Sequence, residues 1–223
     1  MTRITIDEMS EDVVLLRFLR ADQYVDYSAE IIQLKAAELF HKNMNPVAKA
    51  RIAYEFVRDE IAHSFDINAD VITAKASDVL RYGTGICHAK ANLLAALLRS
   101  QGIPTGFRFQ RLTLGEDESQ GYCVHAYNAV LLGGRWIELD ARGNSADINA
   151  QFSLDEPKLA FQARPEYEEC FYEGIYASPH PASMQMLEKV KSIAEIRATI
   201  PDRVMEFPDI LLDESLQTEV ISK

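Results

Sequence analysis

The sequence predicts an α+β fold in which a helical lobe with a central cysteine-bearing helix packs on an antiparallel sheet. Three observations predict it. Helical patterns fill the first part of the chain, an almost wholly apolar helix follows a glycine pair, and strands joined by a Gly-Gly turn come next. Because helices precede strands rather than alternating with them, the pattern favours α+β over a parallel α/β arrangement.

The N-terminal elements are predicted from apolar runs and capping residues. Val13–Arg20 is a short apolar run between polar residues, which predicts a strand. Ser28 is expected to cap a helix that ends near Lys42. Asn45-Pro46 supplies a cap and a first-position proline for an amphipathic helix that reaches Ile61. A helical turn over residues 77–82 leads into the glycines.

The central helix begins at Cys87, directly after Gly83-Thr-Gly-Ile, and runs to Arg99. Its alanines and leucines are apolar nearly all round, which indicates a buried helix, and Gly102 and Pro104 mark its end. Cys87 therefore lies in the first helical turn. There the free N–H groups and the positive end of the helix dipole favour a thiolate, so a cysteine nucleophile is expected at this position.

The strands are predicted at Thr105–Leu114, Tyr122–Leu132 and Arg135–Asp140, the last two joined by Gly133-Gly134. After Asp140 the periodicity is lost until a helix over residues 183–199, followed by a tail or packed arm. Residues 1–150 are expected to form the core, with the N-terminal strand and helices. Residues 151–223 are expected to form a C-terminal cap or extension of the same domain.

The hairpin register brings a base to the cysteine. A cysteine nucleophile needs a base, and the base needs an orienting partner. With Gly133 and Gly134 as the two loop residues, His125 and Asp140 fall on one face of the hairpin as diagonal neighbours. Diagonal positions are about 7–8 Å apart, within reach of an imidazole and a carboxylate.

Composition limits the remaining function classes. A net charge of −11 without a basic cluster argues against nucleic-acid or anionic-membrane binding. No apolar stretch approaches a membrane span, and Met1–Ser10 lacks a signal-peptide pattern. Three cysteines form neither a disulfide framework nor a zinc motif, so a cytoplasmic protein is expected. Oligomeric state is left open.

Five segments together resemble the transglutaminase-like superfamily of papain-type cysteine enzymes, across roughly residues 45–145. They are Gly85-Ile-Cys87, the Ala/Leu helix that follows it, Gly102-Ile-Pro104, Val124-His-Ala-Tyr127 and Trp136-Ile-Glu-Leu-Asp140. The resemblance implies a papain-like fold and a Cys87–His125–Asp140 triad that forms an acyl-thioester. Tyr127 departs from the pattern, because many members have tryptophan there.

Further residues are candidates for the cleft and the oxyanion hole. The Cys87 N–H is one expected oxyanion donor, and a second is expected among His63, Ser64 and Tyr82. The remaining cleft candidates are His88, expected to be structural or a wall of the cleft, Tyr127, and Trp136, expected to pack over the His–Asp pair. Cys123 and Cys170 are expected to be unreactive.

The resemblance implies cysteine-dependent amide-bond chemistry on a peptide, protein or small amide, with hydrolysis by a protease or amidase favoured. A protein-glutamine transamidase is the alternative. A non-catalytic binding module on the same fold is the alternative of another class. The implied mechanism requires no metal and no organic cofactor.

Overall fold

The computed structural model describes residues 11–205. Its helices are α1 (Glu11–Arg17), α2 (Glu30–Leu39), α3 (Pro46–Glu60), α4 (Ala76–Tyr82), α5 (Cys87–Arg99), α6 (Pro181–Lys189) and α7 (Ile193–Thr199). Its strands are β1 (Ala62–His63), β2 (Thr84–Gly85), β3 (Thr105–Thr113), β4 (Tyr122–Leu132), β5 (Arg135–Leu139) and β6 (Cys170–Phe171). The N-terminal ten residues and the predicted tail beyond Met205 lie outside the described residues.

The central helix α5 is enclosed on all sides. It packs against α2, α3 and α4 on one side and against β3 and β4 on the other, and all thirteen of its residues are buried. This enclosure explains its composition, since a helix without a solvent face has no place for a polar stripe. The α+β prediction and the central cysteine helix are confirmed.

The main sheet has the order β5-β4-β3-β6 and is antiparallel throughout. The hairpin register is the predicted one, with Leu132 opposite Arg135 and Asn128 opposite Leu139. Gly133 and Gly134 have φ values of 59° and 79°, as a two-residue turn with two left-handed residues requires. The pairing ends one residue before Asp140, which leaves its side chain free to turn toward β4.

The N-terminal strand prediction is wrong, because this segment contains helix α1. Val14 and Phe18 are one helical turn apart, and both are buried against Ala129 and Ile175. A short apolar run with two valines does not distinguish a helix from a strand, and the tertiary contacts decide it.

Other boundaries shift for local reasons. The first predicted helix begins at Glu30 after Ala29, without a side-chain cap from Ser28. The Asn45 cap is confirmed, since its Oδ1 accepts the Ala48 N–H at 2.8 Å. The predicted helix over 183–199 is two helices, α6 and α7, and Ser192 caps the second.

Candidate active site

Cys87, His125 and Asp140 come together where the first turn of α5 meets the ends of β4 and β5. His125 Nε2 lies 2.8 Å from Asp140 Oδ2, which leaves Nδ1 for the thiol of Cys87. All three residues are buried, with exposed fractions of 8%, 3% and 1% in the order named. The sheet therefore supplies a histidine and a carboxylate to a cysteine that the helix supplies.

The electrostatics of the three groups favour a thiolate–imidazolium pair. Burial alone would raise the pKa of the Cys87 thiol, but the adjacent His125 cation and hydrogen bonds from His125 and the Ala126 backbone lower it. Burial would likewise lower the pKa of His125, yet the negative charges of Asp140 and Cys87 raise it to about 10. Each charge is thus stabilised by its neighbour inside a largely buried site.

Asp140 is held by backbone donors from two further segments. Its Oδ2 also accepts the Ala160 N–H at 3.0 Å, and its Oδ1 accepts the Arg142 N–H at 3.1 Å. Burial would raise the pKa of Asp140, but the charge of His125 and these hydrogen bonds lower it. Ala160 contributes through its backbone N–H, so no side-chain pattern in the sequence pointed to it.

His63 approaches the cysteine from the other side. The two-residue strand β1 pairs in parallel with β2, which places His63 opposite Gly85. His63 Nε2 accepts the Cys87 backbone N–H at 3.2 Å. Burial and the nearby cations of Arg142 and Lys90 hold the pKa of His63 well below its usual range, so its imidazole is neutral.

Lys90 lies one turn beyond Cys87 on α5 and helps to hold His63 in place. The sequence pattern did not point to it. It is fully buried, and its Nζ donates to the carbonyl oxygens of Ile61 and Arg58. Burial lowers the pKa of Lys90 to about 7. The contact fixes the end of α3 next to β1, and therefore the position of His63.

The other predicted cleft residues lie outside the cleft. Ser64 is buried with its hydroxyl 3.1 Å from that of Thr84, and Tyr82 is half exposed at the end of α4. Tyr127 stacks on His125 with ring centroids 6.3 Å apart. Trp136 packs on Phe18 instead of over the His–Asp pair, so that placement was wrong.

His88 belongs to a buried polar cluster behind the site. Its Nε2 lies 2.8 Å from the Val124 carbonyl and 3.1 Å from the Ser183 hydroxyl, which in turn contacts His180 Nδ1 at 2.8 Å. Burial lowers the pKa of His88 to about 3 and that of His180 to about 4. His88 is therefore structural and ties α6 to α5, one of the two placements expected for it.

A cleft of about 750 Å³ opens over Cys87. Part of its wall comes from the segment after residue 150, including Phe161, whose ring meets His125 edge-on at 5.1 Å between centroids. Cys123 also lines the cleft, but burial and the charge of Cys87 raise the pKa of its thiol to about 12. In residues 11–205, no three His, Cys, Asp or Glu side chains group as a metal site, and no helix has the length and apolarity to cross a bilayer.

Comparison with known proteins gives a match to a family model and a similar solved structure. Residues 34–141 match the model of the transglutaminase-like superfamily. A solved structure of a proposed cysteine protease from Cytophaga hutchinsonii is similar with a TM-score of 0.44 and 22% identity, over 62% of this chain and 45% of that one. The chain thus spans less than half the length of that structure. No curated protein matches the sequence.

Proposed function

We propose that this chain, whose residues 34–141 match the model of the transglutaminase-like superfamily, is a cysteine hydrolase that cleaves a peptide or carboxamide bond through an acyl-thioester. Cys87 is the nucleophile. His125 is the general base that takes the thiol proton of Cys87 and then the acid that gives it to the leaving nitrogen. Asp140 orients the imidazole. The observation that carries the proposal is the buried 2.8 Å contact between His125 and Asp140 beside a thiol of lowered pKa.

The first half-reaction follows from the protonation states of the pair. The Cys87 thiolate attacks the carbonyl carbon, a sulfur–carbon bond forms, and the carbonyl oxygen takes the negative charge. The His125 imidazolium then gives its proton to the leaving nitrogen as the carbon–nitrogen bond breaks. The amine leaves, and the acyl group remains on sulfur.

The second half-reaction uses the same histidine in reverse. His125, now neutral, takes a proton from water, the resulting hydroxyl attacks the thioester, and the carboxylic acid leaves as the thiolate returns. Asp140 keeps the imidazole in one orientation through both steps, because its own position is fixed by the Ala160 and Arg142 N–H groups.

The oxyanion hole requires a local change at His63. The Cys87 N–H is a natural oxyanion donor, but it is bonded to His63 Nε2 in the free protein. We propose that substrate binding breaks this contact, after which the Cys87 N–H points at the carbonyl oxygen. If the His63 ring then turned its N–H toward the same carbonyl oxygen, it would supply the second donor.

The extension after residue 150 is proposed to belong to the same domain as the core. The Ala160 N–H donates to Asp140, and the Val124 N–H on β4 donates to the Pro201 carbonyl at 2.8 Å. Phe161 and Ile200 line the cleft with Cys87. These contacts support a single domain in which this segment forms a wall of the cleft.

The test is alkylation of the thiols by iodoacetamide at pH 6, located by mass spectrometry. We expect Cys87 to be alkylated faster than Cys123 and faster than free cysteine. His125→Ala should remove this rate advantage. Cys123→Ala is the matched control and keeps the rapid reaction. If Cys87 reacts like an ordinary thiol, the activated-nucleophile proposal fails, and the binding module becomes the better description.

Measurement of the reaction products decides between a hydrolase and a transamidase. Wild type and Cys87→Ala are incubated with a library of peptides and carboxamides, with and without a labelled primary amine. Release of acid and amine or ammonia that depends on Cys87 supports hydrolysis. Preferential incorporation of the labelled amine would instead assign a transamidase.

A further inference from the structure

The arginines of the cleft differ in how they are neutralised. Arg142 makes a two-pronged ion pair with Asp66 at 2.6 and 2.7 Å. Arg164 pairs with Glu169 at 2.8 Å. These two cations are therefore already committed within the protein, and a ligand gains little from either of them.

Arg197 is the exception. It lies on α7, exposed to solvent, and lines the same cleft as Cys87. Within residues 11–205, no carboxylate comes within ion-pair distance of its guanidinium. A solvent-accessible cation that has no counter-charge among these described residues, and that lines the same cleft as a reactive cysteine, is available to a ligand.

The guanidinium of Arg197 is held toward the reacting group by an aromatic contact. It lies 4.5 Å from the centroid of the Phe65 ring, and Phe65 meets His63 edge-on at 5.4 Å. His63 in turn accepts the Cys87 N–H. The positive charge of Arg197 contributes to the low pKa of His63, so Arg197 acts electrostatically on the residue that contacts Cys87.

We propose that Arg197 binds a carboxylate of the substrate and makes the enzyme selective for acyl donors that carry an acidic group near the bond to be cleaved. This inference rests on the proposed hydrolase function and names its substrate class. Planar guanidinium and carboxylate groups pair in a two-pronged geometry, and stacking on Phe65 limits the rotamer freedom that pairing would otherwise cost.

Two carboxylates in the cleft favour the opposite selectivity, for cationic substrates, and this contrast makes the inference testable. Glu116 and Asp147 also line the cleft. If they dominated binding, the enzyme would favour substrates with a cationic group, and loss of Arg197 would leave selectivity unchanged.

The first experiment uses Cys87 itself as the probe and needs no known substrate. The thiolate displaces iodide from iodoacetate or iodoacetamide and forms the same sulfur–carbon bond, so the two reagents differ in charge at the reacting end. We measure the ratio of the two rates at Cys87 in wild type, Arg197→Gln and Arg197→Glu. Arg81→Gln is the control, because Arg81 is exposed on α4, pairs with Asp78 and lies outside the cleft lining.

The expected result is a loss of preference for iodoacetate. A reagent carboxylate held about 7 Å from the guanidinium in water would gain roughly threefold in rate, so at that separation Arg197→Gln should lower the ratio about threefold and Arg197→Glu roughly sevenfold. The effect should shrink at high salt, as expected for an exposed charge. An unchanged ratio in both variants, with unfolding midpoints like that of wild type, would overturn the inference.

The second experiment uses turnover and distinguishes the source of the carboxylate. Matched peptides carry Glu or Gln beside the cleaved bond, and a C-terminal acid or amide. Wild type is expected to prefer an acidic member in kcat/KM, and Arg197→Glu to prefer a Lys-bearing peptide. Rapid Cys87 alkylation without acidic preference would refute this inference alone, whereas an unreactive Cys87 would refute the proposed function.

Discussion

Replacing Asp140 with asparagine changes one charge and one hydrogen-bonding atom in the buried site. Asp140 accepts from His125 and Ala160 through Oδ2 and from Arg142 through Oδ1. Asparagine has a single acceptor oxygen. If that oxygen faces His125, its amide NH₂ faces the Arg142 N–H, and a buried donor loses its partner. We expect unfolding to become easier by about 1–3 kcal/mol.

The lost charge acts on the thiolate–imidazolium pair. An opposite charge in direct contact shifts a pKa by about 1–3 units, and each unit corresponds to about 1.4 kcal/mol. With a shift of about 2 units, the ion pair of Cys87 and His125 becomes less favourable by about 2.7 kcal/mol relative to the neutral pair. Alkylation of Cys87 at pH 6 should therefore slow by up to roughly a hundredfold, the full factor applying where the neutral pair predominates.

The assay is the rate of Cys87 alkylation by iodoacetamide between pH 4 and pH 9, with urea unfolding measured in parallel. Asp155→Asn serves as the control, because Asp155 is exposed and outside the cleft lining. Its rate profile should match that of wild type. If Asp140→Asn is folded at the assay temperature and Cys87 still reacts at the wild-type rate, Asp140 does not stabilise the ion pair.

Three further outcomes are expected from the same structure. Because the pKa values of His88 and His180 in the folded protein are lowered to about 3 and 4, the unfolded chain binds more protons below pH 6.5. Stability should then fall by about 1.4 kcal/mol per pH unit for each histidine as the pH drops from 6.5 toward 4, and a flat urea midpoint over this range would contradict the reasoning. In Gly106→Ala, the added Cβ would lie 2.5 Å from Ile175 Cγ2, so we expect a loss of about 1–3 kcal/mol; a wild-type melting temperature would refute this. In His63→Ala, kcat should fall roughly 10- to 100-fold while iodoacetamide reacts within about threefold of the wild-type rate, because alkylation forms no oxyanion; equal losses in both would contradict the oxyanion role.

The elements that were predictable share a local cause. The Asn45 cap, the apolar sequence of α5 and the Gly133-Gly134 turn each specify structure within a few residues. The turn also fixes the register over the whole hairpin, since strand side chains alternate with a period of two. For that reason the relation of His125 to Asp140 could be derived from sequence.

The features that were missed depend on contacts distant in sequence. Helix α1 is decided by the packing of Val14, and of Phe18 just after the helix, on residues more than a hundred positions away, and β1 is too short to leave a pattern. The Ala160 donor is a backbone group, for which side-chain identity gives no indication. The placement of Trp136 failed because sharing a face with Asp140 does not fix which neighbour a ring reaches, and here it is Phe18.

The hydrogen bond from Ala160 to Asp140 makes the reactivity of Cys87 a local stability probe. Detachment of the segment around Ala160 would take one hydrogen-bond donor from Asp140 and the edge contact with Phe161 from His125. Segments of a native protein open with their own free energies, and hydrogen exchange at the Ala160 amide measures this one directly. The rate of labelling at Cys87 should therefore fall in variants whose Ala160 amide is less protected from exchange, so that thiol reactivity reports how completely the cleft is assembled.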